Sequence, residues 1–510
     1  MVAVGHAKKG RRKSLSMSGY VLLTGATGLL GQYLVRDLLA AGHRLALLIR
    51  GNLKATPLER MEGILQLWET RLETTLPRPL CIEADITKEG LGISPEDNDW
   101  INRHCSRMIH SAASLQFREE TSTGEPYRTN VEGTRNVIRW LAQSRIRGLH
   151  YISTAYVCGR RDDLVMEDEL DTGQEFRNDY ERSKFQAEKM VREASFLDQL
   201  TVYRPVVITG DSETGYTSTY HGSYLYMKLA ALLARNTDAD ENGNRHLPIR
   251  WGLTGDERRN ITPVEWNSKV ITRLFDTPEA HGRTFQMPPR KPTTMRQVIE
   301  FGTKYFNITG IEFAGYGFQD PNPPLTDLER LVWSSIEIYR AYDFKDPQFD
   351  QTNLRQFVPD VPCPELDDDV TQRLIAYAEA DRWGKRRPDP LVMAVDTIAS
   401  RLAPYVDQTS ETGDDSNNVT NVSLDLLGPG GGQWKIQLVD DQLVKAARGL
   451  AERHQPTLRM SMQEFNQING DLQSIQVRIA KYLSIPAGDS NGLASQLAQA
   501  IFSEAVESTT

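Results

Sequence analysis

Tyr180 and Lys184 stand four apart in the run YERSK, at the start of a segment that reads as a helix. At that spacing both side chains lie on one helical face. A tyrosine phenol, with an ordinary pKa of about 10, is a poor acid–base catalyst at neutral pH. A neighbouring ammonium favours the phenolate and lowers that value, which makes the pair a candidate proton donor and its electrostatic partner. Thr154 precedes Tyr180 by 26 residues, at the end of a predicted strand inside STAYVCG, where its hydroxyl can bond the oxygen of a reacting carbonyl. A Tyr–Lys pair alone reads more readily as a solvated helix pair, so the chemistry depends on the elements that position it.

Those elements begin with Tyr20 to Arg50, YVLLTGATGLLGQYLVRDLLAAGHRLALLIR, which reads as strand, glycine turn, helix, strand. The apolar run Tyr20 to Thr24 suits a strand buried on both faces. Gly25, Gly28 and Gly31 follow in the spacing TGxxGxxG. The first glycine allows the tight turn, the second lets backbone N–H groups approach a pyrophosphate, and the third lets helix and strand pack closely. The helix N-terminus adds partial positive charge. The helix places Leu30, Leu34, Leu38 and Leu39 on one face and ends at Gly42. A dinucleotide site is therefore expected, with Thr24, Thr27, Leu29 and Leu30 around the glycines. A nicotinamide cation beside Tyr180 would add to the effect of Lys184, which can also hold the nicotinamide ribose. Arg50 closes the second strand, where an acid suits a ribose 2′-hydroxyl and a cation suits a 2′-phosphate. This favours NADP over NAD.

Downstream the pattern alternates. Pro57 to Thr74 reads as a helix and Leu80 to Asp85 as a third strand. Met108 to Ala113 is a fourth strand, and Asn130 to Leu141 a helix capped by Asn130. Leu149 to Tyr156 is a fifth strand, Tyr180 to Glu193 a helix, and Leu200 to Thr209 a sixth strand. Such alternation predicts an α/β fold with a doubly wound parallel sheet of Rossmann type, its ligands beyond the carboxyl ends of the strands. Residues 1–18 read as a disordered basic tail carrying Lys8, Lys9, Arg11, Arg12 and Lys13. The Rossmann domain spans 19–215 and a substrate-binding region 216–385, with Rossmann elements returning near 260–290. A helix and acidic linker occupy 386–418. Residues 419–510, with alternating runs on either side of GPGGG, read as a small α+β domain built on a hairpin.

A net charge of −9 argues against bulk electrostatic binding of nucleic acid. No apolar run is long enough to cross a membrane, which leaves only peripheral lipid contact. The four cysteines, Cys81, Cys105, Cys158 and Cys363, show no metal-ligand spacing and read as buried free thiols, so no metal is expected and a reducing, cytoplasmic compartment is.

TGATGLLG, Asp85, HSAA at 110–113, NVEGT at 130–134, STAYVCG, YERSK and YRP at 203–205 together resemble the extended short-chain dehydrogenase/reductase family. Within it, STAYVCG, YERSKFQAE and YRPVVITGDSETG resemble the thioester reductase and fatty acyl-CoA reductase (male-sterility-type) branch. The resemblance implies Thr154, Tyr180 and Lys184 as the catalytic set, with Gly25, Gly28 and Gly31 on the pyrophosphate. It implies Asp85 and Ile86 at the adenine, Ala112 and Ala113 along the cofactor path with Asn130 behind, and Arg204 and Pro205 near the nicotinamide. The implied reaction is NADPH-dependent reduction of an acyl thioester, on CoA or acyl carrier protein, to aldehyde and onward to alcohol. Sugar-nucleotide epimerases/dehydratases and hydroxysteroid dehydrogenases of the same family share the turn and the Tyr–Lys pair, but more often carry an acid at position 50. A non-catalytic NADP-binding sensor or scaffold is the reading from another class, against which the intact Thr154, Tyr180 and Lys184 speak. GGGQWKIQLVDDQLV, TLRMSMQEF and NGDL more loosely resemble sterol-carrier-protein-like lipid-binding domains; an α+β packing or dimerisation domain is the alternative.

Overall fold

The computed structural model describes residues 19–317, 319–386, 391–394, 397–406, 419–450, 455–468, 471–485 and 490–507. The basic tail and the acidic run 408–418 lie outside them. The chain divides into two compact units, Val21–Met393 and a second from Ala394 onward.

The first unit is built on a seven-stranded parallel sheet. Its strands are β1 (Tyr20–Thr24), β2 (Arg44–Ile49), β3 (Leu80–Glu83), β4 (Cys105–His110), β5 (Gly148–Ile152), β6 (Gln199–Pro205) and β7 (Thr284–Met287). They lie in the order 3-2-1-4-5-6-7, so the order reverses between β1 and β4. A reversal of this kind opens a crevice beyond the carboxyl ends of the strands, where ligands of doubly wound folds sit. β1 is buried along its whole length, as its unbroken apolar run requires. Helix α1 (Leu29–Ala40) buries Leu34 and Leu38 completely, in a core shared with Trp68, Val270 and Phe275. Each such side chain contributes about 1.5–3 kcal/mol on burial. Helix α2 (Pro57–Leu72) starts on a capping box in which Thr56 accepts from the Glu59 backbone. Helices α3 (Thr134–Gln143) and α4 (Asp179–Arg192) follow β4 and β5.

Three expected elements change form. Asn130 does not cap a helix; it lies inside a π-helical turn, Arg128–Gly133, that leads into α3. The fifth strand stops at Ile152, and Ala155–Cys158 forms a 3-10 turn capped by Thr154, whose hydroxyl accepts from Tyr156 N. A Thr can cap because its side chain replaces the missing backbone acceptor. The run after Pro205 likewise leaves the main sheet, and Val207–Thr209 pairs in parallel with Ile261–Pro263 instead. A second core in this unit gathers Met227, Trp251, Ile299 and Leu374.

The second unit holds a five-stranded sheet. Val419–Leu427 and Gly432–Val439 form the antiparallel hairpin expected around GPGGG, with Leu424 opposite Trp434. Gln442–Arg448 adds a further antiparallel strand, and Thr457–Ser461 pairs in parallel on the other side. Leu424, Ile436, Leu458, Phe465, Ile479 and Leu497 form its core.

Candidate active site

A cleft of about 1430 Å³ opens at the carboxyl ends of the sheet strands in the first unit. One end of it is the glycine turn. Gly25 has a φ of +77°, and a Cβ there would lie 2.6 Å from Ala112 N, so only glycine fits. At Gly31 a Cβ would lie 1.9 Å from the carbonyl oxygen of Gly25, which sets the contact of the third glycine against the turn rather than against a strand. Gly28 is the N-cap of α1 and supplies no side-chain acceptor, so the first-turn N–H groups of the helix lack a side-chain cap. Thr27, Gly28, Leu29, Leu30 and Gly31 line the cleft at this point. Unsatisfied helix N–H groups facing a cavity fit a pyrophosphate.

Thr154, Tyr180, Lys184, Ala113 and Pro205 line the same cleft. The Thr154 hydroxyl stands close enough to the Tyr180 phenol to stabilise its charged form. Thr154 Oγ1 also lies 3.3 Å from Pro205 O. Burial pushes the Tyr180 phenol up to about 12, and Thr154 opposes this only in part. The expected lowering by Lys184 does not appear. Its ammonium is instead turned to the carbonyl of Ile152, 2.8 Å away, and the Tyr151 hydroxyl, 3.1 Å away. Burial lowers Lys184 to about 8, and Glu188, one turn further along α4, opposes that shift. Desolvation therefore outweighs the charge of Glu188 at Lys184, while at Tyr180 the charge of Glu181 adds to it.

The remaining predicted residues stand behind this surface or beside it. Thr24 is buried and ties β1 to β4: its hydroxyl is 2.7 Å from His110 Nδ1 and accepts from the backbone N–H groups of Ser111 and Ala112. Asn130 bridges two elements, accepting from Ser114 N at 2.8 Å and donating to Ser183 Oγ at 2.9 Å. It thereby fixes α4, and with it Tyr180, against the loop after β4. The Arg204 side chain is turned away from the cleft and pairs with Glu188 at 2.7 Å, both fully buried. Only Pro205 of the expected Arg–Pro pair lines the cleft. Glu188 also accepts from Ser153 Oγ at 2.5 Å and pairs with Arg192 at 2.7 Å. Ile86 presents its carbonyl to Asn136 and packs on Gly133.

Arg50 is exposed at the close of β2. Burial raises the Asp85 carboxyl, but bonds from Thr87 and the charges of Arg50 and Lys88 outweigh it and hold Asp85 below the usual range. Arg60 was not visible as a site residue in the sequence. It projects from the first turns of α2 to the Thr27 hydroxyl at 3.0 Å and to the Arg50 carbonyl. Its guanidinium is destabilised first by burial and then by the charge of Arg50. Two cations thus meet beside the glycine turn. Also unforeseen is an aromatic wall along the other half of the cleft, in which Phe117 lies 6.1 Å from Tyr180, 5.2 Å from Tyr339 and 5.6 Å from Tyr342 between ring centroids. Among the described residues no cluster of His, Cys, Asp and Glu could hold a metal, and no helix is long and apolar enough to cross a membrane. Cys105 and Cys158 are buried free thiols, while Cys81 and Cys363 are only partly covered.

Residues 23–271 match the family described as male sterility protein. Over 414 residues the chain is 27% identical to an aldehyde reductase of Aspergillus flavus, covering 73% of this chain and 37% of that protein. It is 32% identical over 392 residues to a non-canonical nonribosomal peptide synthetase of Aspergillus hancockii, covering 70% of this chain and 36% of the relative. The chain thus spans little more than a third of the length of these two relatives. In fold it is similar to the terminal R domain of the myxalamid PKS-NRPS pathway, with a TM-score of 0.57 at 23% identity over 74% of this chain and 94% of that one.

Proposed function

Residues 23–271 belong to the male sterility protein family, in the thioester reductase branch of the extended short-chain dehydrogenases/reductases, and on that premise we propose that the protein reduces an acyl thioester to an aldehyde with NADPH. The observation that carries this reading is the meeting of Thr154, Tyr180 and Lys184 in one cleft with the uncapped N-terminus of α1. Relatives named as a nonribosomal peptide synthetase and an aldehyde reductase support a thioester held on a carrier protein, with acyl-CoA as the soluble counterpart.

The residues fit the cofactor. The glycine turn and first turn of α1 would hold the pyrophosphate, Lys184 the nicotinamide ribose, and Arg50 with Arg60 a ribose 2′-phosphate. The pairing of two cations favours NADPH over NADH. Bound nicotinamide supplies the hydride. Thr154 and Tyr180 would turn their hydroxyls to the thioester oxygen as it gains charge and stabilise it by donation. A phenol at about 12 remains protonated at neutral pH, so Tyr180 enters as a donor. The hemithioacetal then loses its thiol to leave the aldehyde. A second reduction to the alcohol uses the Tyr180 proton in the same way.

The test is to supply NADPH or NADH with an acyl-CoA, an acyl carrier-protein thioester and a free aldehyde in turn. Thioester-dependent oxidation of NADPH, with release of free thiol, supports the reading. Turnover of sugar nucleotides or sterols without turnover of thioesters overturns it.

A further inference from the structure

Three cations line the cleft: Lys184 at the hydride end, Arg118 and Arg259. Arg118 faces Glu337 at 3.5 Å on the exposed rim. Arg259 differs from both. Its Nη1 donates to the carbonyl oxygens of Arg258 at 2.9 Å and Phe344 at 2.8 Å, which pins the guanidinium by its backbone surroundings. Among the described residues Nε and Nη2 have no hydrogen-bond partner, and no carboxylate stands within ion-pair distance. Asp343 is an acid whose charge it meets, and burial pushes that carboxyl up to about 6 against the pull of Arg259 and Arg340. The site therefore presents a fixed, incompletely balanced cation with one donor edge open.

Its place in the cleft decides what it can meet. From Tyr180 the aromatic wall runs through Phe117 and Tyr339 to Tyr226, whose ring centroid is 6.4 Å from Tyr339. Arg259 lies next along it, close enough for its charge to act on the Tyr226 phenol. Tyr226 is three ring contacts from Tyr180 along this wall, and Arg259 lines the same cleft with no bond to Thr154 or Tyr180, so it can meet a part of the substrate other than the reacting carbonyl. Acyl-CoA and carrier-bound thioesters share a pantetheine arm that ends in a phosphate, and an acyl group can end in a carboxylate. Guanidinium pairs with either in a bidentate fork.

Resting on the thioester reading above, we propose that Arg259 is the anion anchor of the substrate subsite and pairs with an oxyanion of the substrate other than the reacting carbonyl. The test begins with binding, which needs no turnover. 4′-Phosphopantetheine, pantetheine, and a simple N-acetylcysteamine thioester with and without a terminal carboxylate are titrated into the full chain with NADP bound. The same titrations are made with Arg259→Ala and Arg259→Lys. Wild-type protein is expected to bind an oxyanion-bearing probe roughly 10- to 100-fold more tightly than its uncharged counterpart. That ratio should fall towards one in Arg259→Ala and recover in part in Arg259→Lys. A ratio that collapses for the phosphate pair identifies the arm as the source; one that collapses for the carboxylate pair identifies the acyl group. Equal binding of charged and uncharged probes by the wild type overturns the proposal, as does a ratio that survives in a folded Arg259→Ala variant. A protein that shows the ratio yet reduces no thioester would contradict the catalytic reading while leaving the anchor standing.

Discussion

The Lys184 ammonium lies 2.8 Å from the carbonyl oxygen of Ile152, so helix α4 is fastened to the carboxyl end of β5 by the same group that would hold the cofactor ribose. The bond places Tyr180, one turn earlier on the helix, next to Thr154 at the strand's end. It also keeps a buried lysine hydrogen-bonded while its charge is destabilised by desolvation.

Cofactor affinity should therefore depend on pH. The folded-state Lys184 titrates at about 8, below its ordinary value, so the cation is present below that pH and is lost as pH rises through it. An anionic cofactor favours the charged form and is expected to bind more weakly from pH 8 upward. Fluorescence titration of NADPH between about pH 6.5 and about pH 9.5 checks this. Lys184→Met should bind NADPH more weakly at pH 7 and lose most of the pH dependence.

Removing the proton donor should spare binding and cost rate. Tyr180→Phe is expected to lower kcat by roughly 10²–10⁴-fold with little change in NADPH affinity. Thr154→Val, which removes a donor to the developing oxyanion, should lower kcat by about 10²–10³-fold. Single-turnover rates with saturating thioester separate these losses from substrate binding; an unchanged rate in either variant would remove that residue from the mechanism.

Cofactor choice should rest on two arginines. Arg60→Ala and Arg50→Ala are each expected to weaken NADPH binding by roughly 10-fold or more while changing NADH binding little, in line with the loss of a charge-assisted hydrogen bond. Comparing kcat/KM for the two cofactors reads this directly. Equal losses for both would place the arginines in the fold rather than at a 2′-phosphate.

Stability has its own test behind the sheet. Glu188 is fully buried between Arg204, Arg192 and Ser153. Burial raises its carboxyl, yet the two arginines and the serine outweigh this and hold it below the usual range. Glu188→Ala leaves Arg204 buried without its partner and should cost about 3–5 kcal/mol in chemical denaturation. Because a carboxyl with a lowered folded value is charged above its unfolded pKa, this contribution is present at neutral pH and is lost as the solution is acidified.

Much of this architecture is legible in the residues because local signals agree there with tertiary packing. The glycine turn, α1 and β2 follow from an apolar run, a glycine spacing and a one-sided helix, and each lies where the pattern puts it. Asn130 shows where such signals fail: an Asn before a helical pattern reads as a cap, whereas its side chain is consumed by Ser114 and Ser183 from other elements. Arg204 follows the same logic, since a strand residue's facing depends on where the strand lies in the sheet, and this one meets Glu188. Arg60, Arg259, Tyr339 and Tyr342 carry no local signal at all. They come to the cleft or its glycine turn from the open face of a helix, a two-residue strand and a short 3-10 helix that only the folded chain brings together.

The central claim is tested most directly by the fate of the hydride. The protein would be given NADPH carrying deuterium on the transferring face of C4, with an acyl thioester, and the product trapped and weighed. The account predicts an aldehyde with one deuterium on its former carbonyl carbon and one equivalent of free thiol, both formed at least about 10²-fold more slowly by Tyr180→Phe. Intact thioester, or free acid without deuterium, would contradict it.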